Sequence, residues 1–180
     1  MIKAPHRVET ARLVLSPPTA ADAQAIFDRY ASDPDVTRFM AFPRHESLAS
    51  TEAFLAFSAQ EWKRAPAGPY LIWSRADGSL LGGSGLEVRN DGEAATGYVL
   101  AKDAWGKGYA TEALSAMVNV ARGIGLEQLT ACCHLEHLTS QRVLEKCGFV
   151  PEPRDCQATF PNLAPAPQDV RWYVLRLTPR

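Results

Sequence analysis

Trp105-Gly106-Lys107-Gly108-Tyr109-Ala110-Thr111-Glu112-Ala113 is a glycine-rich turn that runs straight into a helix. Behind it, Ala110, Ala113, Leu114, Met117, Val118 and Ala121 recur at the spacing of one buried helical face. Ahead of it, Gly97-Tyr98-Val99-Leu100 reads as a buried strand. The first turn of a helix leaves backbone N–H groups without partners, and the aligned peptide dipoles add partial positive charge there. A strand, a glycine turn and a helix start in that order make an anion site. Gly106 and Gly108 place no side chain between that backbone and a phosphate, and Lys107 adds a cation. The turn suits a diphosphate.

Three phosphate-binding patterns compete for it. The P-loop, G-x-x-x-x-G-K-[ST], occurs nowhere in the chain. The dinucleotide fingerprint, G-x-G-x-x-G, fails at its third glycine, where Thr111 stands, and the turn lies past the middle of the chain. The third pattern is the acyl-coenzyme A loop of the GNAT N-acetyltransferases, Gln/Arg-x-x-Gly-x-Gly/Ala. Residues 105–110 resemble it at Gly108 and Ala110, with Trp105 where Gln or Arg is usual. The run from Gly106 to Leu114 resembles the Rim-type branch, which includes ribosomal-protein N-terminal acetyltransferases. An alternative stays open at this point, in which the glycines serve packing alone.

A second segment carries the resemblance further. His137-Leu138-Thr139-Ser140-Gln141-Arg142-Val143-Leu144-Glu145-Lys146-Cys147-Gly148-Phe149 is similar to the family's Asn-x-x-Ser-x-x-x-Leu-x-Lys-x-Gly-Phe. Its local chemistry agrees: Val143, Leu144 and Cys147 share a helical face, and Gly148 suits the left-handed position after a helix end. Two motifs in order, separated by a strand, are far more specific than either alone.

Around these motifs the chain alternates predictably. Thr10-Ala11-Arg12-Leu13-Val14-Leu15 predicts a strand, and Thr19-Ala20-Ala21-Asp22 a capped start for a helix carrying Ile26, Phe27 and Tyr30. A loop follows through Asp33-Pro34 and Phe42-Pro43. A second helix presents Phe54, Leu55, Ser58 and Trp62 before Pro66, Gly68 and Pro69 break it. Strands are predicted at 70–73, 80–88, 95–101, 129–134, from Phe149-Val150, and at 170–177, with turns at Asp77-Gly78 and Asn90-Asp91-Gly92. The order resembles the whole GNAT fold: one α/β (α+β) domain over residues 1–180, with a mixed, mostly antiparallel sheet of about seven strands flanked by four helices.

Composition adds exclusions. A chain of 180 residues with 46% hydrophobic content can bury one core. A net charge of −1 offers no general attraction to nucleic acid. No apolar run approaches the roughly 20 residues of a membrane span, and Met1-Ile2-Lys3-Ala4-Pro5-His6-Arg7 lacks the apolar stretch of a signal peptide. A cytoplasmic protein is expected. Cys132, Cys133, His134 and His137 invite a metal, but successive strand residues point to opposite faces and no C-x-x-C spacing exists, so no metal is expected. The four cysteines read as reduced, structural thiols, with Cys147 packed in the core and Cys156 on an irregular stretch.

The resemblance also implies chemistry. An amine attacks the thioester of acetyl-CoA directly in a ternary complex, on a strand that splays from its neighbour and pairs with the pantetheine arm. By position that strand offers Val99, Leu100 and Ala101, with a backbone N–H among them polarising the thioester. Coenzyme contacts fall on Trp105, Gly106, Lys107, Gly108, Tyr109, Ala110 and Thr111, and on His137, where the family often has an asparagine. Leu144 stands in place of a tyrosine that protonates the departing thiolate. Ser140 is the matching polar residue on that helix, with a helix cap as its alternative role. The family's strand glutamate corresponds to Ala95, which leaves Glu87 and His134 as candidate bases, His134 being equally readable as a surface residue.

A weak base favours acceptors that are already neutral. An α-amine with a pKa near about 8 is substantially unprotonated at neutral pH, whereas a lysine amine near about 10.4 is not. The expected acceptor is therefore a protein N-terminus, an amino acid or a small amine, recognised by the first helix pair and the loops at Phe39-Met40-Ala41-Phe42-Pro43 and Phe160-Pro161-Asn162. Trp62, Trp73 and Trp172 read as core rather than pocket. A rival function is a catalytically silent acyl-CoA-binding sensor or scaffold. Family members often form a homodimer, and no residue selects for or against that.

Overall fold

The computed structural model describes residues 2–89 and 92–177. Two short strands open it, β1 (Val8–Glu9) and β2 (Leu13–Ser16), and alternation in β2 buries Leu13 and Leu15. Asp22 accepts the Thr19 N–H at 2.7 Å, as the capping pattern predicts. The single helix expected after it is broken into three geometries. A 3-10 turn (Ala20–Asp22) leads into α1 (Ala23–Ile26) and then a π turn (Phe27–Ala31). The Ser32 N–H and hydroxyl both bond the Phe27 carbonyl, which closes the wider turn and keeps Tyr30 and Ala31 buried.

The predicted loop at Asp33-Pro34 is instead a short helix, α2 (Pro34–Thr37). Asp33 caps it by accepting from Asp35 N and Val36 N, and Pro34 sits in the first turn, where its missing N–H costs nothing. Then α3 (Leu48–Arg64) buries Thr51, Leu55 and Ser58, while Phe54 and Trp62 are half-buried.

Strands β3 (Pro69–Ser74), β4 (Leu80–Val88) and β5 (Glu93–Leu100) form an antiparallel meander. Asn90 and Asp91 of the second predicted turn lie outside the described residues. Helix α4 (Tyr109–Gly123) leads to β6 (Gln128–His134), and α5 (Leu138–Lys146) to β7 (Val150–Glu152). A two-residue strand β8 (Gln157–Ala158) and the long β9 (Gln168–Arg176) close the sheet. Its order is β1-β2-β3-β4-β5-β6-β9-β7, with β8 paired to β9. Every pairing is antiparallel except β5 with β6.

The sheet is thus α/β and mostly antiparallel, as expected. It has nine strands rather than seven and five α-helices rather than four among the described residues. The extra strands, β1 and β8, are two residues long, too short to carry a periodic signal.

Period-two burial splits the core between two faces. Tyr70 and Ile72 of β3 join Leu114, Met117, Leu129 and Tyr173 beneath α4 and α5. Leu71, between them, joins Ile26, Tyr30, Val36 and Leu55 beneath α1, α2 and α3.

Candidate active site

Helix α4 buries Ala113, Leu114, Met117, Val118 and Ala121 as its spacing predicts, and Ala110 is half-buried. This packing fixes its N-terminus against the end of β5. Gly106 and Gly108 both lie in the left-handed region, at φ 72° and 80°, and Gly108 is the N-cap residue. No side chain caps the helix, so its first N–H groups face outward from an exposed turn. Trp105, in the position of the family's Gln or Arg, donates its indole N–H to the Leu100 carbonyl at 2.8 Å. Lys107 is exposed beside them.

The turn stands at the mouth of an opening in the sheet. Strands β5 and β6 pair in parallel at Glu93, Ala94 and Ala95, and their register ends at Ala95 with Thr130. On its other edge β5 stays paired to β4 as far as Leu100 with Gly82. Residues 96–100 therefore have one edge without a ladder among the described residues. Ala101 N–H donates to the Leu81 carbonyl at 2.8 Å, which sets the antiparallel alternation. In that alternation Val99 and Ala101 direct their backbone groups to β4, and Tyr98 and Leu100 direct theirs to the opening. Of the three strand residues named from sequence, Leu100 alone presents an N–H there.

One wall of the opening is α5. His137 is its N-cap residue, and Ser140 N–H donates to the His137 carbonyl at 3.0 Å. Ser140 is accordingly inside the helix, not its cap. Its hydroxyl lies 2.9 Å from the Tyr98 hydroxyl, which also donates to the Ser140 carbonyl at 3.3 Å. Burial raises the Tyr98 phenol above its ordinary range, so it remains protonated. The sequence reading treated Tyr98 only as a strand residue. Nothing local shows that its hydroxyl reaches a helix 42 residues away. Leu144 is buried in the core and offers no polar atom.

The candidate bases lie on the opposite face of the sheet. Glu87 pairs directly across from Ala95, an odd number of residues from the Ser84–Tyr98 pair, so the structure does not join it to Ser140. It is exposed, with the Arg89 guanidinium 3.8 Å away. His134 is 8% exposed rather than on the surface. Phe39 stacks on it at 5.1 Å and Phe160 meets it edge-on at 5.4 Å. Its Nδ1 accepts the Glu136 N–H at 3.2 Å, which occupies the one lone pair a neutral imidazole has. The other face of the cluster is His137, stacked on Phe39 at 4.8 Å. Burial, and then the nearby His134, lower the His137 pKa, so its ring is neutral. No side-chain hydrogen bond engages it among the described residues.

Phe39 belongs to the loop expected to meet the acceptor, and Asn162 pins that loop. Its amide donates to the Thr37 and Phe42 carbonyls, both at 2.8 Å, and its oxygen accepts the Arg44 N–H at 2.7 Å. Beside it lies a cleft of about 650 Å³ lined by Pro34, Thr37, Pro43, Arg44, Pro161 and Asn162, among others. Of the cysteines, Cys132 is exposed and Cys133 buried, as alternation requires. Burial pushes the Cys133 thiol up to about 12, which leaves no thiolate nucleophile there. Cys147 is half-buried between α4 and α5, its thiol 3.5 Å from the Thr111 carbonyl and the Ser115 hydroxyl. Trp62 and Trp73 are half-buried against the two core clusters, while Trp172 lies beneath the Arg154 guanidinium.

Residues 12–150 match the acetyltransferase (GNAT) domain. The chain belongs to the GNAT acetyltransferases. The match runs from the start of β2 to β7 and includes the glycine turn, the opened strand pair and α5. Among GNAT relatives, the uncharacterized N-acetyltransferase YoaA of Bacillus subtilis (strain 168) is 28% identical over 148 residues, covering 81% of this chain and 83% of that protein. RimL, a ribosomal alpha-N-protein acetyltransferase solved in complex with coenzyme A, superposes with a TM-score of 0.84 at 19% identity, covering 95% of this chain and 98% of its own. Spermidine N-acetyltransferase from Vibrio cholerae, in complex with CoA and spermine, gives 0.77 at 17% identity, with 93% and 96% covered. At these identities the GNAT fold is shared and the acceptor is not specified.

Proposed function

We propose that this GNAT chain is an acetyl-CoA-dependent N-acetyltransferase that modifies a primary α-amine: a protein N-terminus, an amino acid or a small amine of low pKa. One juxtaposition carries the reading. The uncapped glycine turn at α4 stands beside the β5–β6 opening, and the Tyr98–Ser140 hydroxyl pair lines that opening. The residues fit the coenzyme. Gly108 places no side chain at the N-cap of α4, and the first N–H groups of α4 suit a diphosphate.

When bound, acetyl-CoA supplies an activated thioester carbonyl, so that a C–N bond forms as the C–S bond breaks. The Leu100 N–H, directed into the opening, stabilises negative charge on the carbonyl oxygen. Ser140 gives a proton to the departing thiolate and regains one from solvent once the thiol has left, while Tyr98 stays protonated and holds the Ser140 hydroxyl in place. The amine arrives from the opposite face, past Phe39, His134 and His137. His137 is better suited than His134 to take the ammonium proton, because its ring nitrogens make no hydrogen bond among the described residues, whereas His134 Nδ1 already accepts the Glu136 N–H. The proline-walled cleft offers space for the remainder of the acceptor. The four free cysteines accord with a reducing, cytoplasmic setting.

Thermal unfolding with saturating acetyl-CoA is the first test. At about 100 times its dissociation constant the ligand adds roughly 2.7 kcal/mol, or about 5 to 10 °C for a chain of this size. No shift at millimolar ligand would remove the coenzyme reading. A shift without amine-dependent release of coenzyme A would favour the silent sensor, a reading supported by the absence of a side-chain acid at Leu144 and a base at Ala95.

Ser140→Ala is expected to lower kcat about 100-fold while leaving the KM for acetyl-CoA unchanged. Tyr98→Phe should give a smaller loss of about tenfold, since it removes the support rather than the donor. Equal turnover in both variants would return the pair to a packing role.

A further inference from the structure

We infer that Arg12, nearly a hundred residues away in sequence, is the positioning residue that aims the glycine turn at a diphosphate, an inference that rests on the coenzyme reading above. Its Nη1 donates to the Lys107 carbonyl at 2.9 Å. In a trans peptide the carbonyl and the following N–H point in opposite directions. Holding the Lys107 oxygen towards Arg12 therefore directs the Gly108 N–H away from it, to the open side of the turn. Without that hold the peptide is free to rotate, because it lies in an exposed stretch between two left-handed glycines.

Arg12 is itself fixed. Its Nε donates to Glu112 Oε2 at 2.7 Å, and its backbone N–H donates to Glu112 Oε1 at 2.8 Å. The Thr10 hydroxyl donates to the same Oε1 at 2.6 Å, and the Tyr109 ring lies under the guanidinium at 4.6 Å. Burial opposes ionisation of Glu112, yet hydrogen bonds from Thr10 and Arg12 hold its carboxyl below the ordinary carboxylate range. One planar fork thus ties the start of β2, the turn and the first turn of α4 together. The Arg12 charge also offsets a carboxylate that would otherwise repel a phosphate at the helix N-terminus.

Calorimetric titration of the full chain with coenzyme A, and separately with pantetheine, which lacks the diphosphate, tests this. Arg12→Ala is expected to weaken coenzyme A about tenfold and to leave pantetheine unchanged. Arg12→Lys keeps a cation beside Glu112 but loses the fork, and should show nearly the same loss. Full coenzyme A affinity in Arg12→Lys would mean that charge alone acts and would overturn the positioning role. Equal losses for both ligands with a lowered unfolding midpoint would overturn it as well, making Arg12 a residue of the fold. Wild-type protein that binds neither ligand would remove the coenzyme reading itself, and the inference with it.

Discussion

Gly108→Val is expected to weaken coenzyme A binding by at least about 100-fold, equivalent to losing two charge-assisted backbone hydrogen bonds. The position has φ 80°, where a β-branched residue is strained by roughly 1–3 kcal/mol. The variant would relieve that strain by turning the peptide, which moves the N–H groups the phosphates need. Space is a second constraint, since a Cβ at Gly108 would lie 3.4 Å from Arg12 Nη2, the side chain that holds the turn. The site is exposed and outside the core, so the chain should still fold. Calorimetry gives the affinity and thermal unfolding the stability. Unchanged affinity would mean that the turn carries no phosphate.

The second large effect falls on a glycine that the motifs do not contain. Gly82→Ala is expected to cost at least about 3 kcal/mol of stability and to abolish coenzyme binding. A Cβ there would stand 2.0 Å from the Val99 carbonyl oxygen and 2.9 Å from Leu100 Cα, at φ 154°. Both neighbours are backbone and cannot rotate aside. The register shifts at this point, with Trp73 opposite Leu80 and Ile72 opposite Gly82, so Leu81 is the extra residue of a bulge. Separation of β4 from β5 would displace the Leu100 N–H from the opening. Gly97→Ala is the control, because a Cβ at Gly97 meets nothing within 4 Å, and it should change stability by no more than about 0.5 kcal/mol. Chemical denaturation of the two variants checks both statements, and similar midpoints would contradict the close approach at Gly82.

The elements read correctly from sequence are those whose signal is local and repeated. Helix α4 shows its buried face over several turns, and Gly148 ends α5 in the left-handed region at φ 87°, as its place before Phe149 predicts. The broken first helix was not legible, because its π turn depends on a Ser32 bond to Phe27 and on how Tyr30 and Ala31 meet the sheet. The short helix at Pro34 could have been found, since Asp33 and Pro34 are a capping residue and a first-turn proline. His134 is readable from sequence as either a base or a surface residue, and only the structure shows it enclosed by Phe39 and Phe160, two rings from distant loops.

By itself the sequence determined the local elements of the candidate site. Glycines, a helix start and periodic apolar residues act within one or two turns of chain, so the glycine turn leading into α4 and the helix at 138–146 follow from neighbours. Tertiary structure decided which distant atoms meet around the candidate site. The Tyr98 and Ser140 hydroxyls, the Arg12 fork on Lys107 and the Asn162 clamp on Phe42 join segments separated by 42, 95 and 120 residues. Those contacts arise from strand register and from the way α4 and α5 seat on the sheet. A one-residue shift of β5 would turn Tyr98 to the other face of the sheet, away from Ser140.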